Sequence, residues 1–203
     1  MRTVTALFDT YDHASSAVRA LKDAGFSSAD VSIVANKMAG DVPEDDMDAG
    51  EGAAAGAGVG AVAGGGAGLL AGLGTIAIPG IGPVIAGGWL LATAVGAIAG
   101  AAVGGVAGGL LGALANAGVP EDEAHVYAEG IRRGGTLVSV RADDSRADTA
   151  AAILQNSAGV DIDRRRTDYL AEGWQGFDEE APAYSPEQIR DYRSTYVAPL
   201  PPV

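Results

Sequence analysis

Residues able to perform acid–base or metal chemistry are few in this chain. There are two histidines and no cysteine among 203 residues. His13 lies near Asp9 and Asp12 in the sequence, and His125 follows Glu121 by four positions. A single imidazole among carboxylates is not a recognisable transition-metal ligand set, and a histidine in an acidic helix start is usually solvated. The sequence therefore predicts no catalytic residue and no metal site.

Glycine-rich segments raise the possibility of a phosphate-binding loop. Residues 58–63 and 66–71 both match the pattern G-x-G-x-x-A. Such a loop works when a strand directly precedes it and a helix follows, because the glycines bring the phosphate to the helix N-terminus. The nearest predicted strand ends at residue 35, more than twenty positions earlier. We therefore expect no nucleotide and no other cofactor.

Charge is distributed very unevenly along the chain. The formal net charge is −13, with 13 basic and 26 acidic residues, which argues against a nucleic-acid partner because such binding depends on neutralising phosphates. Residues 52–120 contain no charged residue, and 22 of these positions are glycine. The sequence thus combines an acidic globular part with an uncharged insertion.

Within the insertion, glycine recurs at every fourth position, which is the spacing of a ridge on one helix face. Glycine ridges let two helices approach closely. We therefore predict two antiparallel helices over residues 53–77 and 84–116, joined at a turn. The predicted packing positions are Gly52, Gly56, Gly60, Gly64, Gly68, Gly72, Gly88, Gly96, Gly100, Gly104, Gly108 and Gly112, and the predicted turn residues are Pro79, Gly80, Gly82 and Pro83.

A hairpin without a polar face must be buried, in a membrane or in a protein assembly. Helices over 53–77 and 84–116 would be roughly 37 and 50 Å long, enough to cross a hydrocarbon core of about 30 Å. The flanks are acidic, however, and lack the lysine and arginine that usually mark the cytoplasmic end of a span. Both settings stay open, and in both the protein's partner is a second copy of itself.

The segments around the insertion predict two halves of one α+β domain. Residues 1–36 indicate strand, helix and strand, with Asp12 as the helix N-cap, and residues 37–51 form an acidic linker. Residues 121–163 indicate helix, strand, helix and a last short strand at 160–163. Together they give β-α-β…α-β-α-β, the ferredoxin-like order interrupted by the helical hairpin.

The C-terminal segment, residues 164–203, is predicted to be mostly disordered, with at most a short helix from Pro186 to Arg193. Its aromatic residues stand among acids and prolines. Large apolar side chains in a disordered segment are candidate anchors for a protein partner. The candidate anchors are Trp174, Phe177 and Tyr184.

Two stretches carry a resemblance to known bacterial proteins. The opening TVTALFDTYDHASSAVRALKDAGFSSADVSIVA resembles the general stress protein 17M-like (YflT-like) domain. The stretch IPGIGPVIAGG and the later GVPEDEAHVYAEGIRRGGTLVSVRA resemble proteins labelled as general stress or low-temperature-induced, glycine-zipper membrane proteins. The resemblance covers residues 1–164 and implies a stress-linked, non-catalytic protein.

These features lead to three functional hypotheses. The first is a non-enzymatic stress protein on the cytoplasmic side of a bacterial membrane, inserted through its hairpin and self-associating. The second is a soluble cytoplasmic assembly, such as a shell, tube or filament, with the hairpins buried in its walls. The third is a small-ligand sensor, for which no binding residue can be named from the sequence.

Overall fold

The computed structural model describes residues 1–43, 73–90, 93 and 109–196, and these residues form an α+β fold. Its strands are β1 (Arg2–Phe8), β2 (Val31–Asn36), β3 (Gly74–Ile78), β4 (Gly82–Gly87) and β5 (Thr136–Ala142). Its α-helices are α1 (Tyr11–Asp23), α2 (Leu110–Asn116), α3 (Glu121–Arg132), α4 (Ala147–Asn156), α5 (Ile162–Ala171) and α6 (Pro186–Tyr196), and a 3-10 turn covers Lys37–Ala39.

The five strands form one antiparallel sheet in the order β1-β5-β2-β4-β3. Strands β1 and β2 are parallel to each other, because β5 lies between them and runs antiparallel to both. This arrangement explains why β1, α1 and β2 alone could not form the domain: the second half must supply the strand between them.

Helices cover both faces of the sheet and create two apolar layers. On one face, α1 and α4 pack on residues such as Phe8, Ile33 and Val138. On the other face, α2 and α3 pack on residues such as Val34 and Leu137. Strands β2 and β5 are therefore buried on both sides and consist almost entirely of buried residues.

Several predicted elements are confirmed with small shifts in their ends. The first strand, first helix and second strand lie where the periodicity places them, as do α3, β5 and α4. Thr10, however, and not Asp12, is the N-cap of α1, since its side chain accepts a hydrogen bond from the backbone N–H of His13. Threonine and aspartate are both good N-caps, so residue type does not choose between Thr10 and Asp12. The end of β1 at Phe8 determines that the helix begins at the earlier of the two.

The predicted helices over 53–77 and 84–116 are wrong for the described residues nearest the turn. Residues Gly74–Ile78 and Gly82–Gly87 form strands β3 and β4. The predicted chain reversal is real, but it is a β-turn: the backbone N–H of Ile81 donates to the carbonyl of Ile78, and Gly80 has φ +73°. Proline followed by a glycine of positive φ is typical of a type II turn. Pairing with β2 outweighs the weak helix preference of this segment.

Two further predictions in the second half need correction. Residues 160–163 do not form a fourth strand, so the complete ferredoxin-like order is not confirmed. The backbone N–H of Val160 donates to the carbonyl of Leu7, and then Asp161 caps α5 through a hydrogen bond from the N–H of Arg164. The segment after residue 164, predicted to be mostly disordered, contains α5 and α6, and it buries Tyr169, Phe177 and Ile189. The short helix from Pro186 is confirmed and extends to Tyr196.

Candidate functional site

The predicted glycine packing positions are only partly within the described residues. Gly52, Gly56, Gly60, Gly64, Gly68, Gly72, Gly96, Gly100, Gly104 and Gly108 lie outside them. Gly112 lies in α2, as a helical ridge would require. Gly88 is not part of a helical ridge, because its φ of +87° is not that of an α-helix. A Cβ at this position would lie 2.2 Å from the carbonyl oxygen of Val31. Gly88 is thus needed for close approach of the chain to β2.

The four predicted turn residues lie together at the tip of the β3–β4 hairpin. Gly80 and Gly82 both have positive φ. A Cβ on Gly80 would lie 2.6 Å from the carbonyl oxygen of Asp178, so the C-terminal segment packs directly on the turn. Because both a left-handed backbone and a close neighbour are involved, glycine is required at position 80.

The three predicted partner anchors contact their own chain. Phe177 is buried and packs in the same apolar layer as α2 and α3. The ring of Tyr184 lies 4.8 Å from the guanidinium carbon of Arg132, and the ring of Trp174 meets that of Tyr169 edge-on at 5.5 Å. Phe177 and Tyr184 therefore hold the C-terminal segment on the domain, whereas the Trp174 contact lies within that segment. Their role for an external protein partner stays a prediction.

An arginine–tyrosine cluster also connects this segment to the domain. Arg133 in the described structure is 6% exposed; its Nε lies 2.6 Å from Glu129 Oε1, and an Nη lies 2.5 Å from Glu172 Oε2. Its guanidinium carbon lies 4.2 Å from the ring centre of Tyr169 and 4.9 Å from that of Tyr192. Burial disfavours the charge, but the hydrogen bonds with Glu172 and Glu129 outweigh it and raise the pKa of Arg133.

Sequence reasoning missed this cluster because its members are distant along the chain. Arg165 is also buried, and its pKa is raised: burial opposes the charge, but the hydrogen bonds with Asp9 outweigh that effect. Burial raises the pKa of the Tyr192 phenol as well. A usable signal was present in the sequence: an isoleucine is followed by tyrosine or arginine at helical spacing both in 162–169 and in 189–196.

A groove lies between the N-terminus of α3 and the C-terminal half of α5. Its volume is about 430 Å³, within the range of small-molecule sites. The lining residues are Glu121, Asp122, His125, Arg166, Leu170, Trp174, Gln175 and Gly176. This set includes His125, one of the two histidines, for which the sequence predicts a solvated position.

His125 in this groove has a defined hydrogen-bonding role. Its Nδ1 accepts a hydrogen bond of 3.1 Å from the backbone N–H of Phe177. In the neutral imidazole the proton is therefore on Nε2, since a nitrogen that accepts cannot also carry the proton. His125 thus fixes the chain just before Phe177 enters the core.

The charged wall of the groove is an ion pair between Asp122 and Arg166, with an Nη–Oδ2 distance of 2.6 Å. The Arg166 guanidinium beside it lowers the pKa of Asp122. Leu170, one turn after Arg166 on α5, is 55% exposed, and the indole Nε1 of Trp174 is buried without a hydrogen-bond partner among the described residues. The polar side chains of the lining are three acids and bases (Glu121, Asp122 and His125), the Arg166 guanidinium, the Gln175 amide and the Trp174 indole.

Within the described residues, no three histidine, aspartate or glutamate side chains converge on a point where a metal ion could be held. None of the helices in this part of the chain combines the length and the apolar character needed to cross a bilayer.

Comparison with known proteins adds no relative: no family model, no curated protein and no solved structure matches the chain.

Proposed function

We propose that this chain is a non-enzymatic stress-response protein that self-associates through its uncharged insertion and attaches by that insertion to the cytoplasmic side of a membrane. The α+β domain is the scaffold, and the glycine-rich residues 52–72 and 91–108 are the contact segments. Stress linkage rests on the resemblance of residues 1–164 described above.

One observation carries the proposal: the first glycine-rich segment ends, and the second begins, at the open end of the β3–β4 hairpin. Gly74 on β3 pairs with Ala86 on β4. Leu73, which precedes β3, is 1% exposed and packs against Gly87, where a Cβ would lie 2.6 Å from the leucine Cδ2. The chain therefore enters β3 and leaves β4 side by side, which supports packing of the two segments against each other.

We also infer that the fold is a variant of the ferredoxin-like arrangement. The order β1-β5-β2 supports this inference, since it is the split β-α-β arrangement. The hydrogen bond from Val160 to Leu7 lies on the outer edge of β1, where the fourth strand would pair. In this variant, α5 replaces most of that strand.

Membrane attachment is tested by expressing the full chain and sedimenting the lysate at high speed. Retention of the protein in the pellet through a carbonate wash, with release by detergent, is the expected result. A particle of defined size that stays in the supernatant would replace membrane attachment with a soluble assembly. A monomer in the supernatant would contradict self-association in either setting.

The role of the glycine ridge is tested with Gly64→Leu and Gly104→Leu combined. Leucine on the ridge is expected to separate the contact segments and reduce the assembly size. The matched control is Ala63→Leu with Ala102→Leu, which adds two leucines beside the ridge positions. Equal assembly sizes for the two variants would remove the glycine ridge from the proposal.

A further inference from the structure

The two edges of the sheet differ in how their backbone groups are used. At the β1 edge, the carbonyl of Thr5 accepts a hydrogen bond from the Tyr127 hydroxyl, and the carbonyl of Leu7 accepts one from the N–H of Val160. Thr5 and Leu7 therefore point their backbone groups outward, and protein groups satisfy both carbonyls.

At the β3 edge, Pro83 determines which backbone groups point outward. Ala77 pairs with Pro83, which has no N–H to donate. Residues of an antiparallel strand alternate between exchanging both hydrogen bonds with the partner and pointing both groups away. The residues bonded to β4 are therefore Gly74, Ile76 and Ile78, and the N–H and C=O groups of Thr75 and Ala77 point to the outer edge.

No described residue hydrogen-bonds to those outward groups of Thr75 and Ala77. The side chains of both residues are exposed, and β3 contains neither a charge nor a proline. Native proteins usually protect an edge strand with such residues, because an unprotected edge pairs with another strand. Strand β3 lacks these protective residues: it is uncharged, and three of its five residues are the β-branched Thr75, Ile76 and Ile78.

Charge favours a second copy of this chain as the strand that pairs there. Copies with a net charge of −13 repel each other, but residues 52–120 have no charge. Approach along β3 thus brings uncharged strand residues together, while the acidic Asp178 and Glu179 lie beside Gly80 at the turn and outside the paired residues. Two copies of β3 can also pair antiparallel with Ile76 at the centre, because the outward groups of Thr75 in one copy then face those of Ala77 in the other.

We propose that β3 pairs antiparallel with β3 of a second copy about a twofold axis at Ile76. Thr75 of each copy lies opposite Ala77 of the other, and these two pairs exchange four backbone hydrogen bonds. The two five-stranded sheets become one ten-stranded sheet. This contact rests on the self-association proposed above and names its first interface.

A charge-swap pair of variants tests the register. Thr75→Lys with Ala77→Lys places like charges opposite each other in both pairs, so the molar mass in solution is expected to fall by a factor of two relative to the wild type. Thr75→Lys with Ala77→Glu places opposite charges in the same positions and is expected to restore the wild-type mass. Light scattering of the full chain, in the detergent or buffer that dissolves it, gives both values.

A second measurement does not depend on lysine being tolerated. The chain has no cysteine, so Ile76→Cys introduces a single thiol at the axis. Opposed residues that do not exchange hydrogen bonds have Cα atoms about 4.5 Å apart, which permits a disulfide. Mild oxidation is expected to cross-link Ile76→Cys, whereas Thr75→Cys, whose symmetry mate is displaced along the strand, is expected to stay uncross-linked.

The outcomes separate this contact from the glycine ridge. A wild-type mass for the double-lysine variant, or equal cross-linking of the two cysteine variants, would overturn pairing through β3 while leaving the proposed function in place. Such a result would also be obtained if residues 44–72 of the same chain cover the edge. A monomeric wild type would overturn both proposals.

Discussion

Arg165 and Asp9 form two parallel hydrogen bonds, of 2.9 Å between Nη1 and Oδ1 and 3.0 Å between Nη2 and Oδ2. The pair joins α5 to the end of β1 across 156 positions of sequence. The Arg165 side chain is 6% exposed and that of Asp9 is 24% exposed, so water screens this pair weakly. Removing either partner would leave a charge in a largely buried position.

We therefore expect Asp9→Asn to lower the free energy of unfolding by about 3 kcal/mol, because breaking a buried pair leaves its partner uncompensated. Arg2→Ala is the matched control, since Arg2 pairs with Asp148 in solvent, where side-chain exposures are 59% and 96%. The control is expected to change stability by less than about 1 kcal/mol. Urea denaturation measures both, and equal effects would show that the buried pair has no special weight.

The packing of α6 is tested at Ile189, which is fully buried. A Cβ on Gly134 would lie 2.3 Å from the Ile189 Cγ2, so the isoleucine fills the space above that glycine. Ile189→Ala is expected to cost about 2–4 kcal/mol of unfolding free energy, through lost burial and a cavity. Leu170→Ala removes a leucine that is 55% exposed, and a much smaller change is expected.

Hydrogen exchange of α6 gives an independent measurement of the same contact. If the C-terminal segment were disordered, its amides would exchange without protection in the wild type, and Ile189→Ala would have no effect on stability. Slow exchange of α6 in the wild type, accelerated in Ile189→Ala, is the expected result.

Gly88 distinguishes the β arrangement from a glycine ridge. In a helix, Gly88→Ala would raise stability by about 1 kcal/mol. In the structure it combines positive φ with a Cβ 2.2 Å from the Val31 carbonyl oxygen, so a loss larger than about 2 kcal/mol is expected. Gly118→Ala is the control: its φ of +85° is similar, but no atom lies within 4 Å of its Cβ. Thermal unfolding of the two variants should differ clearly; an increase in the melting temperature of Gly88→Ala would support the helix.

Stability is expected to fall above pH 10 through Tyr127. Burial and the nearby carboxylate of Glu123 raise the pKa of this phenol above its ordinary value of 10. The neutral Tyr127 phenol therefore contributes fully to the free energy of unfolding below the pKa that this phenol has in the unfolded chain. The contribution is lost as the pH rises towards the pKa of the phenol in the folded protein, because the unfolded chain releases its proton first. Unfolding free energies of the wild type, measured between pH 8 and 11.5, should decrease with pH.

Tyr127→Phe removes this titration. The variant is expected to lose about 1 kcal/mol at pH 8, where the hydroxyl donates to the carbonyl of Thr5. Above pH 10 its stability should decline less steeply than that of the wild type. If the unfolding free energies of the wild type and Tyr127→Phe depend on pH in parallel, the Tyr127 phenol has the same pKa in the folded and unfolded states.

Local sequence patterns predicted the elements whose residues alternate or repeat over a whole segment. β1 alternates, β5 contains several β-branched residues, and α1 shows apolar residues at helical spacing, so these elements were predictable without any partner. The reversal at Pro79 and Gly80 was predictable too, because proline followed by glycine determines a turn whatever the flanking elements are. The glycines at every fourth position, by contrast, did not determine whether residues 74–87 form helix or strand.

The sequence by itself determined the acidic domain, the uncharged insertion and most of the helices and strands around it, because these follow from local periodicity and composition. Only the tertiary structure decided that Gly74–Ile78 and Gly82–Gly87 are strands, since an uncharged segment of weak preference takes the structure of the sheet edge it pairs with. Only the tertiary structure, likewise, brought Arg165 to Asp9 and Arg133 to Glu172, because contacts between distant residues leave no periodic trace in the sequence.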